Sequence, residues 1–165
     1  MASSSDITVR DATPEDCSLI LQFVKELALY EKAPEKVYAT EEHFRKTVFG
    51  PHPYAYVVFA CLNGKEVGMA LYFHNYSTWE GRPGLYLEDL YVKPEVRGKG
   101  VGTVLLKHLA KLAVEKDCAR VEWVALDWNT PAIDFYVHKV KATPLDEWRI
   151  FRLTGDALKD FAEAS

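Results

Sequence analysis

Residues Ile7-Thr8-Val9-Arg10 alternate apolar with polar side chains, a period of two that predicts an opening strand. Thr13-Pro14-Glu15-Asp16 then supplies an N-cap, a first-turn proline and an acidic first turn. Cys17, Ile20, Leu21, Val24, Leu27 and Ala28 keep the three-and-four spacing of one helix face, and Tyr30 to Pro34 end that helix. A second helix begins at Thr40 with Glu41 and Glu42 in its first turn and stops near Phe49-Gly50-Pro51; His43 stands where a capping box carries Glu or Gln. Tyr54 to Leu62 and Glu66 to Phe73 flank Asn63-Gly64, the strongest hairpin signal in the chain. Leu85 to Val92 predicts a further strand. Val101, Val104, Leu105, His108, Leu109 and Leu112 then give the stripe of a helix running to about Lys116. A strand over Arg120 to Leu126, a helix from Pro131 to about His138, a strand over Trp148 to Thr154 and a short tail helix complete the order. Antiparallel strands followed by a β-turn-α-β-α unit predict an α/β fold with a mixed, mostly antiparallel sheet flanked by helices.

At 165 residues, 48% hydrophobic and 27% charged, the chain suits one buried core, so a single domain over residues 6–165 is expected after a short polar, flexible Met1 to Ser5. The net charge of −4, with no block of Lys or Arg, argues against a nucleic-acid partner and favours a positively charged one. No apolar run has the length of a membrane span or signal core. Cys17, Cys61 and Cys118 are odd in number and lack ligand spacing, so free thiols in the cytoplasm are expected. His43, His52, His74, His108 and His138 form no ligand set, and no metal is expected.

The run Arg97-Gly98-Lys99-Gly100-Val101-Gly102 joins the predicted strand ending at Val92 to the helix beginning near Val101. Glycines let a backbone curl closely around an anion, and the helix N-terminus adds free N–H groups, so the turn is a phosphate cradle. The order Lys99-Gly100-Val101 does not make a P-loop. Leu105 stands where a Rossmann fingerprint needs its third glycine, and no preceding βαβ unit supports one.

What remains is Arg-x-x-Gly-x-Gly, in Arg97, Gly100 and Gly102, and here the chain resembles the GNAT superfamily of acyl-CoA-dependent N-acetyltransferases. Leu27-Ala28-Leu29-Tyr30-Glu31, Phe49-Gly50-Pro51-His52-Pro53-Tyr54, Tyr76-Ser77-Thr78-Trp79, Tyr86 to Val92, Leu126-Asp127-Trp128-Asn129 and Asp134-Phe135-Tyr136 extend the resemblance to its diamine acetyltransferase subfamily. That subfamily contains spermidine/spermine and thialysine acetyltransferases. The resemblance implies acetyl-CoA as co-substrate, direct transfer to a primary amine of a small cationic acceptor, and a homodimer whose acceptor sites involve both chains.

It also implies residue roles. Gly98, Lys99, Gly100, Val101, Gly102 and Thr103, introduced by Arg97, would hold the pyrophosphate. Leu90, Tyr91 and Val92 would line the pantetheine arm, with the Leu90 N–H aimed at the acetyl carbonyl, and Asn129, Thr130, Pro131 and Ala132 would complete the cofactor side. Tyr30, Glu31, Trp79 and Glu88 would receive the acceptor, a set suited to an alkylammonium. Amine attack needs a neutral nitrogen, whereas a lysine-like ammonium has a pKa of about 10.4. Glu88 is therefore read as the base acting through water, or as a carboxylate that only holds the ammonium. Strand alternation sets Glu88 and Asp89 on opposite faces, so that one of them points into a given cleft. Tyr136 is read as the acid that protonates the leaving thiolate, against the alternative of a packed helix aromatic.

Two departures bear on the acceptor. Spermidine/spermine acetyltransferases carry an aspartate in the loop where this chain has Ser77-Thr78-Trp79, the thialysine pattern, so a thialysine-, lysine- or ornithine-like acceptor is favoured over a polyamine. No glycine follows Tyr136 through Lys141, so that helix must close by another route. A protein or peptide acetyltransferase and a non-enzymatic CoA-binding module remain the alternative classes.

Overall fold

In the computed structural model residues 6–165 are described, and the expected flexible segment Met1 to Ser5 lies outside them. The described residues divide into two compact units, one ending at Leu126 and the other comprising residues 127–165.

The first unit is built on a five-stranded sheet in the order β1-β2-β3-β6-β7, comprising β1 (Ile7–Asp11), β2 (Tyr56–Leu62), β3 (Lys65–Phe73), β6 (Leu85–Val92) and β7 (Val121–Glu122). Neighbours are antiparallel except β6 and β7, which run parallel. Asn63 and Gly64 both take the left-handed conformation that the β2–β3 hairpin requires. Helix α1 (Cys17–Tyr30) covers one sheet face, α2 (Glu41–Thr47) follows, and α3 (Val101–Glu115) covers the other face. Between β3 and β6 lies a small ribbon that the pattern does not announce, β4 (Tyr76–Ser77) with β5 (Arg82–Pro83).

Ile20 and Phe23 of α1 are fully buried against Phe59, Met69, Leu71 and Tyr91. Phe23 falls outside the expected stripe yet sits at its centre, edge-on to Phe59 at 6.0 Å and 5.2 Å from Tyr91. Each such aromatic contributes roughly 2–3 kcal/mol through burial. On the opposite face, a Cβ at Gly68 would lie 3.0 Å from both the Tyr91 carbonyl oxygen and Val101 Cγ1. That glycine therefore sets how closely α3 approaches the sheet.

Arg10, read in the sequence only as a polar strand position, staples three elements. Its guanidinium donates to both Asp16 oxygens at 2.8 and 2.9 Å and to Glu66 at 2.8 Å, and it lies 4.8 Å over the Phe59 ring. The α2 cap closes with histidine in place of Glu or Gln: the Thr40 N–H donates to His43 Nδ1 at 3.1 Å and the His43 N–H donates to Thr40 Oγ1 at 3.2 Å.

Three expected elements differ. The strand over Arg120 to Leu126 contracts to Val121 and Glu122, which pair with Leu85 and Tyr86. A bulge at Glu88 interrupts the regular register of β6 just beyond that pairing.

In the second unit, α4 (Thr130–Asp134) passes into one wide π-helical turn over Phe135–Val140, in place of a helix from Pro131 to His138. Lys141 takes the left-handed position that glycine usually fills, and the Ala142 N–H donates to the Tyr136 carbonyl at 3.0 Å. Helix α5 (Gly155–Glu163) ends the chain. The strand over Trp148 to Thr154 does not form, because a strand exists only against a paired edge and among the described residues no ladder includes this segment.

Candidate active site

Beyond Val92 a short turn over Pro94–Val96 leads to Arg97, and Gly98 and Gly100 follow with φ of 80° and 88°. A side chain would be strained at both. Gly100 is the N-cap of α3, and no side chain caps the helix there. The first-turn N–H groups of Val101, Gly102 and Thr103 accordingly keep the donor capacity that an α-helix cannot use internally. Fifteen residues of α3 add their dipole. The Arg97 guanidinium does not extend from this turn: its Nε donates to the Val92 carbonyl at 3.3 Å and its Cζ lies 4.6 Å over the Tyr30 ring.

The ladder between β6 and β7 covers only Leu85 and Tyr86. Downstream, the β6 edge turned from β3 is left unladdered by β7 through Leu90, Tyr91 and Val92, so main-chain groups there can pair with an extended, amide-bearing ligand. An anion cradle at the end of such an edge fits the pyrophosphate and pantetheine of coenzyme A. The Tyr91 side chain takes no part, being 3% exposed in the core. Its hydroxyl donates to the Glu26 carboxylate, and burial together with that carboxylate pushes it well above its ordinary pKa.

Tyr72 pairs with Leu87 and Leu71 pairs with Asp89, so Glu88 is the extra residue of a bulge. The shift puts Asp89 on the same face as Leu71, Met69 and Tyr91, the face packed by α1. Glu31, at the C-cap of α1, belongs to this face too. Burial, then the charges of Glu88 and Glu31, push the Asp89 carboxyl up to about 6. Burial also raises Glu31. Glu88 is exposed.

The site thus gathers three carboxylates, Glu31, Glu88 and Asp89, on the strand and helix end beside the glycine turn. Asp89 was missed because regular alternation offers the cleft one carboxylate, whereas the bulge makes both available. A sequence signal exists only in hindsight, as two adjacent acids in an otherwise apolar strand.

Trp79 lies in the β4–β5 turn and is 87% exposed. Ser77 is buried, and its hydroxyl accepts the Glu80 N–H at 3.2 Å, so this position shapes the turn that presents Trp79. In the second unit, Asn129 precedes α4 and Thr130, Pro131 and Ala132 form its first turn, with the Ile133 N–H donating to the Asn129 carbonyl at 3.1 Å. Tyr136 is half-buried in the wide turn, its ring 5.6 Å from that of Phe135.

All three cysteines are free thiols. Among the described residues no three His, Cys, Asp or Glu side chains are grouped to hold a metal ion, and no helix is long and apolar enough to cross a membrane.

Comparison with known proteins shows the family and the fold. A thialysine N-epsilon-acetyltransferase of Bos taurus is 37% identical over 166 residues, covering 94% of this chain and 97% of its own. An L-ornithine N5-acetyltransferase of Arabidopsis thaliana is 31% identical, covering 92% and 86%. Among solved structures, an integron cassette protein from the mobile metagenome of V. cholerae superposes with a TM-score of 0.81 at 28% identity, covering 96% of this chain and 99% of that one. The model of the acetyltransferase (GNAT) family matches residues 20–140, running across the division between the two units. The chain belongs to the GNAT family of acetyltransferases.

Proposed function

We propose that this protein transfers the acetyl group of acetyl-CoA directly to the side-chain amine of a small cationic amino acid of thialysine, lysine or ornithine type. The observation that carries the reading is the cluster of Glu88 and Asp89, on the strand that leads to the glycine turn, with Glu31 at the end of α1. Likeness to thialysine and ornithine acetyltransferases supports the acceptor class.

Acetyl-CoA supplies the activated thioester. The N–H groups of Gly98 to Thr103 hold its pyrophosphate, and Leu90 to Val92 offer main-chain groups to its pantetheine, the Leu90 N–H facing the acetyl carbonyl as negative charge develops there. Asn129 to Ala132 contribute to the coenzyme side. Glu31 and Asp89 draw the ammonium in by charge, and Trp79 offers an aromatic face. Glu88, exposed to water at the bulge, takes the ammonium proton through a water molecule. The free nitrogen then attacks the acetyl carbon, the carbon–sulfur bond breaks, Tyr136 donates its hydroxyl proton to the departing thiolate, and the second proton that the nitrogen sheds on becoming an amide returns through water to the Tyr136 phenolate.

A cytoplasmic homodimer completes the reading. Trp148, Ile150, Phe151 and Leu153 are all exposed in the single chain, an apolar, strand-like segment of the kind a subunit interface covers. Nucleic acid and membrane are not partners in this account. Spermidine would satisfy the same carboxylates, but Ser77 occupies the position where polyamine enzymes carry an additional acid.

The test is to incubate the protein with carbon-labelled acetyl-CoA and thialysine and to follow the label by mass spectrometry. Label on the side-chain nitrogen is expected. Label on the protein alone, or none on thialysine, would overturn the acceptor assignment.

A further inference from the structure

Tyr30 and Glu31 are adjacent at the end of α1 and serve different neighbours. The Tyr30 ring lies under the Arg97 guanidinium at 4.6 Å, whereas Glu31 is one of the two charges that act on Asp89. Arg97 is the first residue of the glycine turn, and its second tie, from Nε to the Val92 carbonyl, closes the segment between β6 and α3. Tyr30 and Arg97 meet over a cavity of about 380 Å³ that Glu26, Tyr91, Lys93 and Glu95 also line. Glu26 is held there by the Tyr91 hydroxyl.

The geometry points to a division of labour within this dipeptide: Tyr30 is a positioning residue for the coenzyme, acting through Arg97, and Glu31 serves the acceptor. A free arginine at the head of a glycine turn would sample many rotamers and would lose that freedom when an anion binds. Stacking on Tyr30 removes the cost beforehand, and the interaction is attractive in itself. It is the Tyr30 ring that meets the Arg97 guanidinium.

The inference rests on the coenzyme and acceptor sides proposed above. Its test is calorimetric titration of CoA into the full chain, with acceptor kinetics measured at saturating acetyl-CoA. Tyr30→Leu is expected to weaken CoA binding on the order of fivefold. Its acceptor KM at saturating acetyl-CoA should stay at the wild-type value. Tyr30→Phe should keep wild-type CoA affinity. Glu31→Gln should raise acceptor KM while leaving the CoA Kd unchanged. In Arg97→Met, adding Tyr30→Leu should cost nothing more, which separates a contact through Arg97 from a general loss of folding; melting curves of each variant check the latter directly.

A Tyr30→Leu variant that binds CoA normally and loses acceptor affinity would overturn the assignment, as would equal damage from Tyr30→Phe. If the wild-type chain itself binds no CoA, the proposed function fails. If wild type binds CoA and Tyr30→Leu binds it equally well, only the role of Tyr30 fails.

Discussion

Leu71 stands opposite Asp89 across β3 and β6, one residue out of step with the preceding pair of Tyr72 and Leu87. That offset turns Asp89 toward α1, where the charges of Glu88 and Glu31 add to the effect of burial. Such an arrangement is costly in the free protein and useful once a cation binds. Asp89→Asn is therefore expected to lower kcat/KM for the amine about tenfold to a hundredfold, the worth of a charge-assisted contact. The same change should raise the melting temperature, because a like-charge repulsion disappears. Steady-state kinetics and thermal unfolding on one preparation check both.

The pH dependence follows from that carboxyl. Its folded-state value of about 6 lies above the ordinary 3.8, so between these values the folded chain holds more protons than the unfolded one. Stability from Asp89 is fully present below 3.8 and is lost as pH rises through about 6. Activity runs the other way, since only the ionised form attracts an ammonium. Acceptor kcat/KM should fall as pH drops through about 6 in wild type, and Asp89→Asn should remove that limb. Kinetics and denaturant unfolding across this interval read the two opposed trends.

Arg10 supplies the contrasting case. Its hydrogen bonds hold the Asp16 and Glu66 carboxyls below their ordinary values, so their contribution is present above 3.8 and 4.5 respectively and is lost as pH falls through the lowered folded values. Both sites are partly exposed, and solvent reduces what the contacts are worth. Arg10→Met is expected to destabilise the fold by about 1–2 kcal/mol. Urea unfolding at neutral pH should show that loss, and it should shrink in acid as the wild-type network protonates.

Removing the phenol proton of Tyr136 is the test of its acid role. Tyr136→Phe keeps the ring in its half-buried turn and is expected to lower kcat about a hundredfold while CoA affinity stays intact. Unchanged turnover would leave Tyr136 as a packing aromatic.

The sheet-forming hairpin, β6, the glycine turn and α3 were legible because their signals are local: a left-handed Asn63-Gly64, an apolar stripe, glycines where φ is positive. Tyr30, Glu31 and Glu88 came from motif resemblance. Asp89 and the Arg97–Tyr30 stack were not legible, since the first depends on a bulge in strand register and the second on contact between residues 67 positions apart. Phe23 escaped for a related reason: an idealised stripe places the core by period alone, whereas the real centre is set by Phe59 and Tyr91 arriving from two strands. The strand over Trp148 to Thr154 failed because alternation describes a segment and not the edge that must receive it.

The most direct measurement is CoA release from acetyl-CoA at mildly alkaline pH, with thialysine and spermidine offered separately over one concentration range. The expected result is acceptor-dependent release with a clear preference for thialysine in kcat/KM. Preference for spermidine would contradict the amino-acid acceptor, and no acceptor-dependent release with either amine would contradict the account of the site.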